Sequence, residues 1–180
     1  QNIALTRLVC SFNSLQSIDV SQNTALSYLD CSNSGPYSVT SIDLSQNIAL
    51  TYLSCFSNQL TNLDINGNTQ LILLGCHNNQ LTSLDVSNNT ALDYLNCGYN
   101  QLTNLDVSVS NNTQLSHLRC FYNQLTSLDV SGATALTTLW CDSNQLTNLD
   151  VSQNTALTDL ACSYNELTSL DVRNGNNTNF

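Results

Sequence analysis

Positive charge is almost absent from this sequence. Its 180 residues contain 3 Lys+Arg against 13 Asp+Glu, a formal net charge of −10, and all three basic residues are arginines. Nucleic acids and anionic lipid surfaces are bound by clustered lysine and arginine, so this charge balance argues against both as partners. Asparagine, serine, threonine and glutamine supply most of the polar positions, which suits a secreted or cell-surface protein.

Long apolar runs are also absent. No stretch of about 18 apolar residues occurs, so the sequence predicts no membrane-spanning segment. Gln1 does not begin a recognisable signal peptide. The first residues already match an internal stretch, because residues 2–5 and 47–50 both read NIAL. We therefore expect residues 1–180 to be a single repeat array from a longer protein, with its capping units missing or incomplete.

Catalytic constellations are missing as well. No nucleophile stands beside a histidine and an acid at positions typical of a triad, and there is no glycine-rich phosphate loop. His117 with Asp142 on the neighbouring repeat comes nearest to an acid–base pair, but any variable polar surface produces such pairs by chance. The sequence therefore predicts a non-enzymatic protein with no cofactor and no metal site.

A repeating unit of 21 residues fills the chain. One copy, residues 89–112, reads NTALDYLNCGYNQLTNLDVSVSNN, and each copy carries one cysteine. The cysteines are Cys10, Cys31, Cys55, Cys76, Cys97, Cys120, Cys141 and Cys162, with spacings of 21, 24, 21, 21, 23, 21 and 21. A period of about 20–29 residues built on LxxLxLxxN is the signature of a leucine-rich repeat solenoid.

Each repeat has two short halves, LxxLxCxxNQ and LTxLDVSxN. Both alternate apolar and polar residues, and neither leaves room for a helix of about 10–12 residues. The pattern predicts a mostly β solenoid of about eight repeats, with parallel sheets and little or no helix. Extra residues at 34–36 and around 108–110 are expected to form longer loops, the first marked by the Gly35-Pro36 turn signal.

Stacking the repeats about 4.8 Å apart places equivalent residues in columns. Strand alternation sends Leu95 and Cys97 inward and Tyr94, Asn96 and Gly98 outward. Neighbouring cysteines then lie side by side on parallel strands, a geometry that suits a disulfide poorly. We expect free, buried thiols that act as small hydrophobic side chains.

Three polar columns accompany the cysteines. The asparagines three residues after each cysteine, such as Asn100, are expected to satisfy free backbone groups at the corners. An aspartate column that includes Asp106 either accepts hydrogen bonds from turn N–H groups and hydroxyls or binds cations. A threonine column that includes Thr103 reflects either strand propensity or an ice-binding surface.

The variable positions gather on the cysteine-bearing half. Ten of the twelve aromatic residues, both histidines and two of the three arginines fall there. Grouped aromatics with arginine are typical of binding surfaces, although such rings also pack on one another as cross-strand pairs. Arg119 and Trp140 are column neighbours and are expected to stack. The candidate ligand-binding residues are Tyr28, Tyr52, Phe56, His77, Tyr94, Tyr99, His117, Arg119, Phe121, Tyr122, Trp140 and Asp142.

The nested repeat LxxLxCxxNQLTxLDVSxNTxL, over residues 3–172, resembles the internalin-like leucine-rich repeat class of bacterial surface proteins, in which a cysteine ladder also occurs. It is similar to arrays in secreted proteins of the Bacteroidetes. The resemblance implies a secreted or bacterial cell-surface adhesion module, and it transfers no ligand. We expect a monomer that binds a protein or glycan through the aromatic positions. The alternatives are a passive spacer, or ice or cation binding on the regular Thr/Asp half.

Overall fold

The computed structural model describes residues 2–32, 35, 38–107 and 112–173. Eight three-residue strands form one parallel sheet in sequence order. They are β1 (Arg7–Val9), β2 (Tyr28–Asp30), β3 (Tyr52–Ser54), β4 (Leu73–Gly75), β5 (Tyr94–Asn96), β6 (His117–Arg119), β7 (Thr138–Trp140) and β8 (Asp159–Ala161). No helix occurs in these residues, and so none that could cross a membrane. The predicted leucine-rich repeat solenoid, mostly β with little or no helix, is confirmed.

The strands pair in the register that the repeat predicts. Each central leucine lies opposite its equivalent in the next repeat, for example Leu74 opposite Leu95. The register is kept across both irregular spacings, where Tyr28 pairs with Tyr52 and Tyr94 with His117. The extra residues at 34, 36 and 108–110 lie outside the described residues. Gly35 has a φ of +70°, a conformation that favours glycine.

The second half of each repeat is extended but does not form a continuous second sheet. In the described chain it makes two isolated parallel bridges, Asp106 with Asp129 and Asp150 with Asp171. Its apolar side chains still face the core, since Leu105 and Val107 are buried. The solenoid therefore has one hydrogen-bonded sheet opposite a wall of extended segments, with leucine columns between them.

The cysteine column lies in this core. All eight cysteines are free; the six from Cys31 to Cys141 are buried, whereas Cys10 and Cys162 at the two ends are half-buried. Burial raises the pKa of Cys97 to about 12, so this thiol is protonated at neutral pH. The prediction of free, buried thiols is confirmed for the six inner repeats.

The asparagines after the cysteines tie successive repeats together. The Asn100 side-chain nitrogen donates to the carbonyl oxygens of Cys97 and Cys76 at 3.0 and 3.1 Å. Its side-chain oxygen accepts from the Leu81 N–H at 3.0 Å. Because backbone groups in a dry core need partners, each such side chain stabilises both its own corner and the contact with the preceding repeat, as the sequence predicts.

Candidate recognition surface

The outward positions of the sheet carry the variable side chains. The middle residue of each strand is a leucine that points inward, and its neighbours point away from the core. We call the twelve predicted ligand-binding residues the aromatic face. Six lie within strands, and six follow a strand by two or three positions. The strand members are Tyr28, Tyr52, Tyr94, His117, Arg119 and Trp140; the others are Phe56, His77, Tyr99, Phe121, Tyr122 and Asp142.

Two of these tyrosines stack near the N-terminal end of the sheet. The ring centroids of Tyr28 and Tyr52 are 4.0 Å apart, and the rings are inclined by 7°. Arg7 extends the stack, with its guanidinium carbon 3.7 Å from the Tyr28 centroid. Burial, with a smaller contribution from the Tyr28 hydroxyl, raises the pKa of Tyr52 to about 12. Arg7 is absent from the predicted set, although its place in the same column was a signal for it.

A second cluster centres on Arg119. Its guanidinium carbon lies 4.1 Å from the Trp140 ring centroid and 5.5 Å from the Tyr94 centroid. The predicted stacking of Arg119 on Trp140 is confirmed. Tyr94 in turn faces His117, with ring centroids 5.9 Å apart. The arginine thus joins side chains from three successive strands into one surface.

Trp140 is held in place on its other side. Its indole Nε1 donates a hydrogen bond to Asp159 Oδ2 at 2.9 Å. The Phe121 ring centroid is 6.4 Å from the indole. The indole is therefore oriented by an arginine, an aspartate and a phenylalanine.

The corner after the strand carries a third group of rings. Tyr99 and Tyr122 stack at 4.5 Å with an inclination of 7°, and Phe121 meets Tyr99 edge-on at 5.4 Å. Gly98 makes room for this arrangement, since a Cβ atom there would lie 3.0 Å from the Phe121 ring. Gly98 and Asn96 point outward as predicted, yet both are buried beneath neighbouring side chains.

Phe56 and His77 form a separate pair. Their ring centroids are 4.5 Å apart and the rings are inclined by 13°. Burial, followed by the positive charge of Arg119, lowers the pKa of His77 below its ordinary value of 6.5. The imidazole is thus uncharged at neutral pH and contributes to this face as a flat, weakly polar ring.

An unusual backbone conformation marks the second residue after the cysteine. In all seven described corners a non-glycine residue there has a φ between 51° and 57°. These residues are Phe12, Ser57, Asn78, Tyr99, Tyr122, Ser143 and Tyr164. The left-handed region costs an ordinary residue about 1–2 kcal/mol, and asparagine tolerates it best. Four of the seven are nevertheless aromatic, so the backbone conformation does not explain the residue chosen.

One cleft opens among the rings at the C-terminal end of the aromatic face. It has a volume of about 340 Å³ and is lined by Phe121, Tyr122, Trp140, Asp142, Ser143, Ser163 and Tyr164. Asp142 Oδ1 accepts the Ser163 N–H at 3.1 Å. The predicted set lacks Ser143, Ser163 and Tyr164, although Tyr164 shares a column with Tyr122.

His117 and Asp142 are not brought together. His117 Nδ1 lies 2.7 Å from the Ser116 hydroxyl oxygen, whereas Asp142 is bound to Ser163. No hydrogen bond joins the two side chains, so the closest candidate for an acid–base pair has no structural basis.

The opposite half presents a regular surface. In seven repeats the aspartate Oδ1 accepts the N–H of the residue two positions later, as Asp43 does from Ser45 at 2.9 Å. The Ser45 N–H lowers the pKa of Asp43. The predicted hydrogen bonding of the aspartate column is thereby confirmed. Over residues 2–32, 35, 38–107 and 112–173, no three His, Cys, Asp or Glu are grouped closely enough to hold a metal ion.

Shallow grooves run along this regular half. One of about 560 Å³ is lined by residues such as Thr126, Asp129 and Asp150, and a similar one of about 310 Å³ by Thr82, Asp85 and their neighbours. The first is larger than the cleft beside Trp140. This groove recurs with the same side chains from repeat to repeat, so it follows from the fold and not from a site of its own. A site that binds one partner selectively needs side chains that differ from those at the equivalent positions of other repeats.

Solved structures resemble this solenoid closely, whereas no protein-family model and no curated protein sequence matches the chain. The functional domain of InlJ from Listeria monocytogenes, which includes a cysteine ladder, is 45% identical and superposes with a TM-score of 0.91. The match covers 97% of this chain and 38% of that structure, so the chain spans well under half of the InlJ functional domain.

Two further solved structures are similar to this chain. The internalin InlF from Listeria monocytogenes is 25% identical over 87% of this chain and 54% of its own, with a TM-score of 0.72. The ectodomain of the receptor kinase GASSHO1/SCHENGEN3 from Arabidopsis thaliana is 28% identical over 91% of this chain and 22% of its own, with a TM-score of 0.81. That ectodomain was solved in complex with CASPARIAN STRIP INTEGRITY FACTOR 2.

Proposed function

The chain belongs to the internalin-like leucine-rich repeat proteins, and on that premise we propose that it is a non-enzymatic recognition module that binds a protein on another surface through the aromatic face. The module acts as a monomer in a secreted or bacterial cell-surface protein. The low content of basic residues and the abundance of amide and hydroxyl side chains suit that setting. The buried, protonated thiols suit it too, because burial shields them from oxidants.

One observation carries this proposal. Bulky rings occupy the left-handed corner positions, where the same chain uses Asn78 or Ser57 in other repeats. Tyr99 and Tyr122 remain 50% exposed, and Tyr164 is 84% exposed, so core packing does not account for them. Exposed aromatic residues kept in a strained backbone conformation point to a role at a binding surface.

The distribution of side chains supports the same conclusion. Aromatic residues and arginine are enriched where partners bind, and large exposed rings are disfavoured elsewhere. Here they cluster on the variable half of each repeat, while the Thr/Asp half repeats almost unchanged. Only on the aromatic face does a bound partner contact different side chains at each repeat.

The test is binding to a panel of immobilised surface proteins and glycans. Wild type is compared with an Arg119→Ala/Trp140→Ala double variant and with a matched Thr126→Ala/Thr147→Ala variant on the opposite half. We expect a protein from the panel to bind wild type and the threonine variant and to lose at least about tenfold in affinity with the aromatic variant, since paired hot-spot residues cost about 2 kcal/mol or more each.

Circular dichroism and thermal unfolding confirm that each variant is folded. A protein that binds all three forms equally contradicts the proposed surface. Glycan binding lost in the aromatic variant keeps the surface but changes the class of ligand. No binding to any member of the panel favours the passive spacer.

A further inference from the structure

The cleft beside Trp140 exists because large residues face small ones across two strands. Trp140 in β7 pairs with Ala161 in β8, and Asp142 is followed one repeat later by Ser163. The small side chains leave an open space of about 340 Å³ next to the indole. Phe121, Tyr122 and Tyr164 complete its aromatic lining.

Aromatic walls favour a positively charged occupant. The face of an aromatic ring carries negative electrostatic potential, and a cation within about 6 Å of the centroid is attracted to it. The chain itself already uses this indole in that way, since the Arg119 guanidinium lies 4.1 Å from the Trp140 centroid. The cleft offers further aromatic surface to a second cation supplied from outside.

The charged groups around the cleft favour the same occupant. Asp142 lines it and is held by the Ser163 N–H, and Asp159 accepts the hydrogen bond from Trp140 Nε1. These two carboxylates outnumber the one neighbouring guanidinium, that of Arg119. The whole chain carries a formal net charge of −10. A neutral sugar could stack on the same rings, but it would gain nothing from this excess of negative charge.

Backbone strain gives an independent reason to regard the cleft as a binding site. Tyr122 and Tyr164 have φ values of 51° and 54°. Their rings border the cleft although asparagine would fit those corners at lower cost. Two of the four aromatic residues in left-handed corners thus border the cleft.

We propose that this aromatic cage, formed by Phe121, Tyr122, Trp140 and Tyr164 with Asp142, binds a lysine or arginine side chain of the partner protein. The inference rests on the proposed function and names the chemistry of one contact within it. The aromatic rings enclose the aliphatic stem and the cationic head, and the Asp142 carboxylate pairs with the charge.

Trp140 makes the test specific, because it is the only tryptophan in the chain. Its fluorescence is followed during titration with Nα-acetyl-lysine amide, Nα-acetyl-arginine amide, the uncharged Nα-acetyl-norleucine amide and a neutral methyl glycoside. We expect saturable quenching by the cationic probes, with affinities about two- to fivefold above that of the norleucine probe.

Three variants separate charge from shape. Asp142→Asn keeps the outline of the cage, and we expect it to reduce the preference for the cationic probes to the part that the rings alone supply. Tyr164→Asn removes one wall and should weaken binding of all probes, while relief of the left-handed strain keeps the protein folded. Asp64→Asn, on the opposite half, makes the same change in net charge and should leave the preference intact.

The outcomes distinguish this inference from the proposed function. Equal response to cationic and neutral amides, or a response to the glycoside alone, overturns the cationic cage. The proposed function survives that result if the aromatic double variant still loses its protein partner in the panel. A preference for cations that is undiminished in Asp142→Asn also overturns the inference, because the carboxylate would then have no part in it.

Discussion

The Asn100 side chain stabilises the contact between two successive repeats. It satisfies the carbonyl oxygens of Cys97 and Cys76 and the N–H of Leu81, all in the core. Leaving a buried polar group without a partner costs about 1–3 kcal/mol. We therefore expect Asn100→Ala to lower the free energy of unfolding by about 3 kcal/mol, as measured by urea denaturation.

Asn13 provides the matched control for Asn100. It occupies the same position in the first repeat, but it is exposed, and among the described residues its side chain bonds within its own repeat, to Cys10 and Ser11. We expect Asn13→Ala to cost less than about 1 kcal/mol, because water replaces the lost partner. Equal losses in the two variants would mean that the contact between repeats does not depend on this amide.

At the residue scale, the sequence predicted those contacts that follow from the columns of equivalent residues. The column pattern correctly placed Arg119 beside Trp140 and gave the corner asparagines their role. It did not reveal the left-handed conformation at Tyr99 or Tyr122, because that corner accepts tyrosine, serine and asparagine alike. It also left Tyr164 out of the candidate set, since the cleft between Tyr164 and the rings of the two preceding repeats appears only in the folded structure.

Strands and corners follow from the repeat spacing more directly than side-chain contacts do. The 21-residue period and the alternation around each leucine determine eight strands in parallel register. The same alternation made Asn96 and Gly98 outward-facing, and it could not show that both would be buried, Gly98 against the Phe121 ring of the next repeat. Nor could spacing alone distinguish isolated bridges such as Asp106–Asp129 from a second sheet.

The repeats differ in how well they protect their cysteines. Burial raises the pKa of every thiol in the column, but Cys10 and Cys162 in the end repeats remain half-buried. We expect two of the eight cysteines to react rapidly with a maleimide in the native protein, and all eight to react in denaturant. Mass spectrometry of the labelled peptides identifies the sites.

Rapid labelling of an inner cysteine such as Cys97 would contradict this ranking. It would mean that the inner repeats open as readily as the ends. In a solenoid each repeat is stabilised mainly by its two neighbours, so the end repeats are expected to open first.

Across the whole molecule, the two halves of each repeat differ in how much their side chains vary. The Thr/Asp half repeats with little variation, and its aspartates are occupied in holding their own turns. The aromatic half varies from repeat to repeat and keeps rings in costly conformations. Because the solenoid is a linear stack, these side chains lie side by side along successive repeats, and under the proposed function a partner contacts several repeats at once.

The measurement that distinguishes the two halves most directly is site-specific photo-crosslinking with p-benzoylphenylalanine. The crosslinker replaces Tyr99 on the aromatic face or, as the matched control, Thr126 on the opposite half, and each protein is irradiated with the partner captured from the panel. We predict covalent partner adducts from position 99 and none from position 126. Adducts from position 126 alone would show that recognition uses the regular half and would contradict the proposed function.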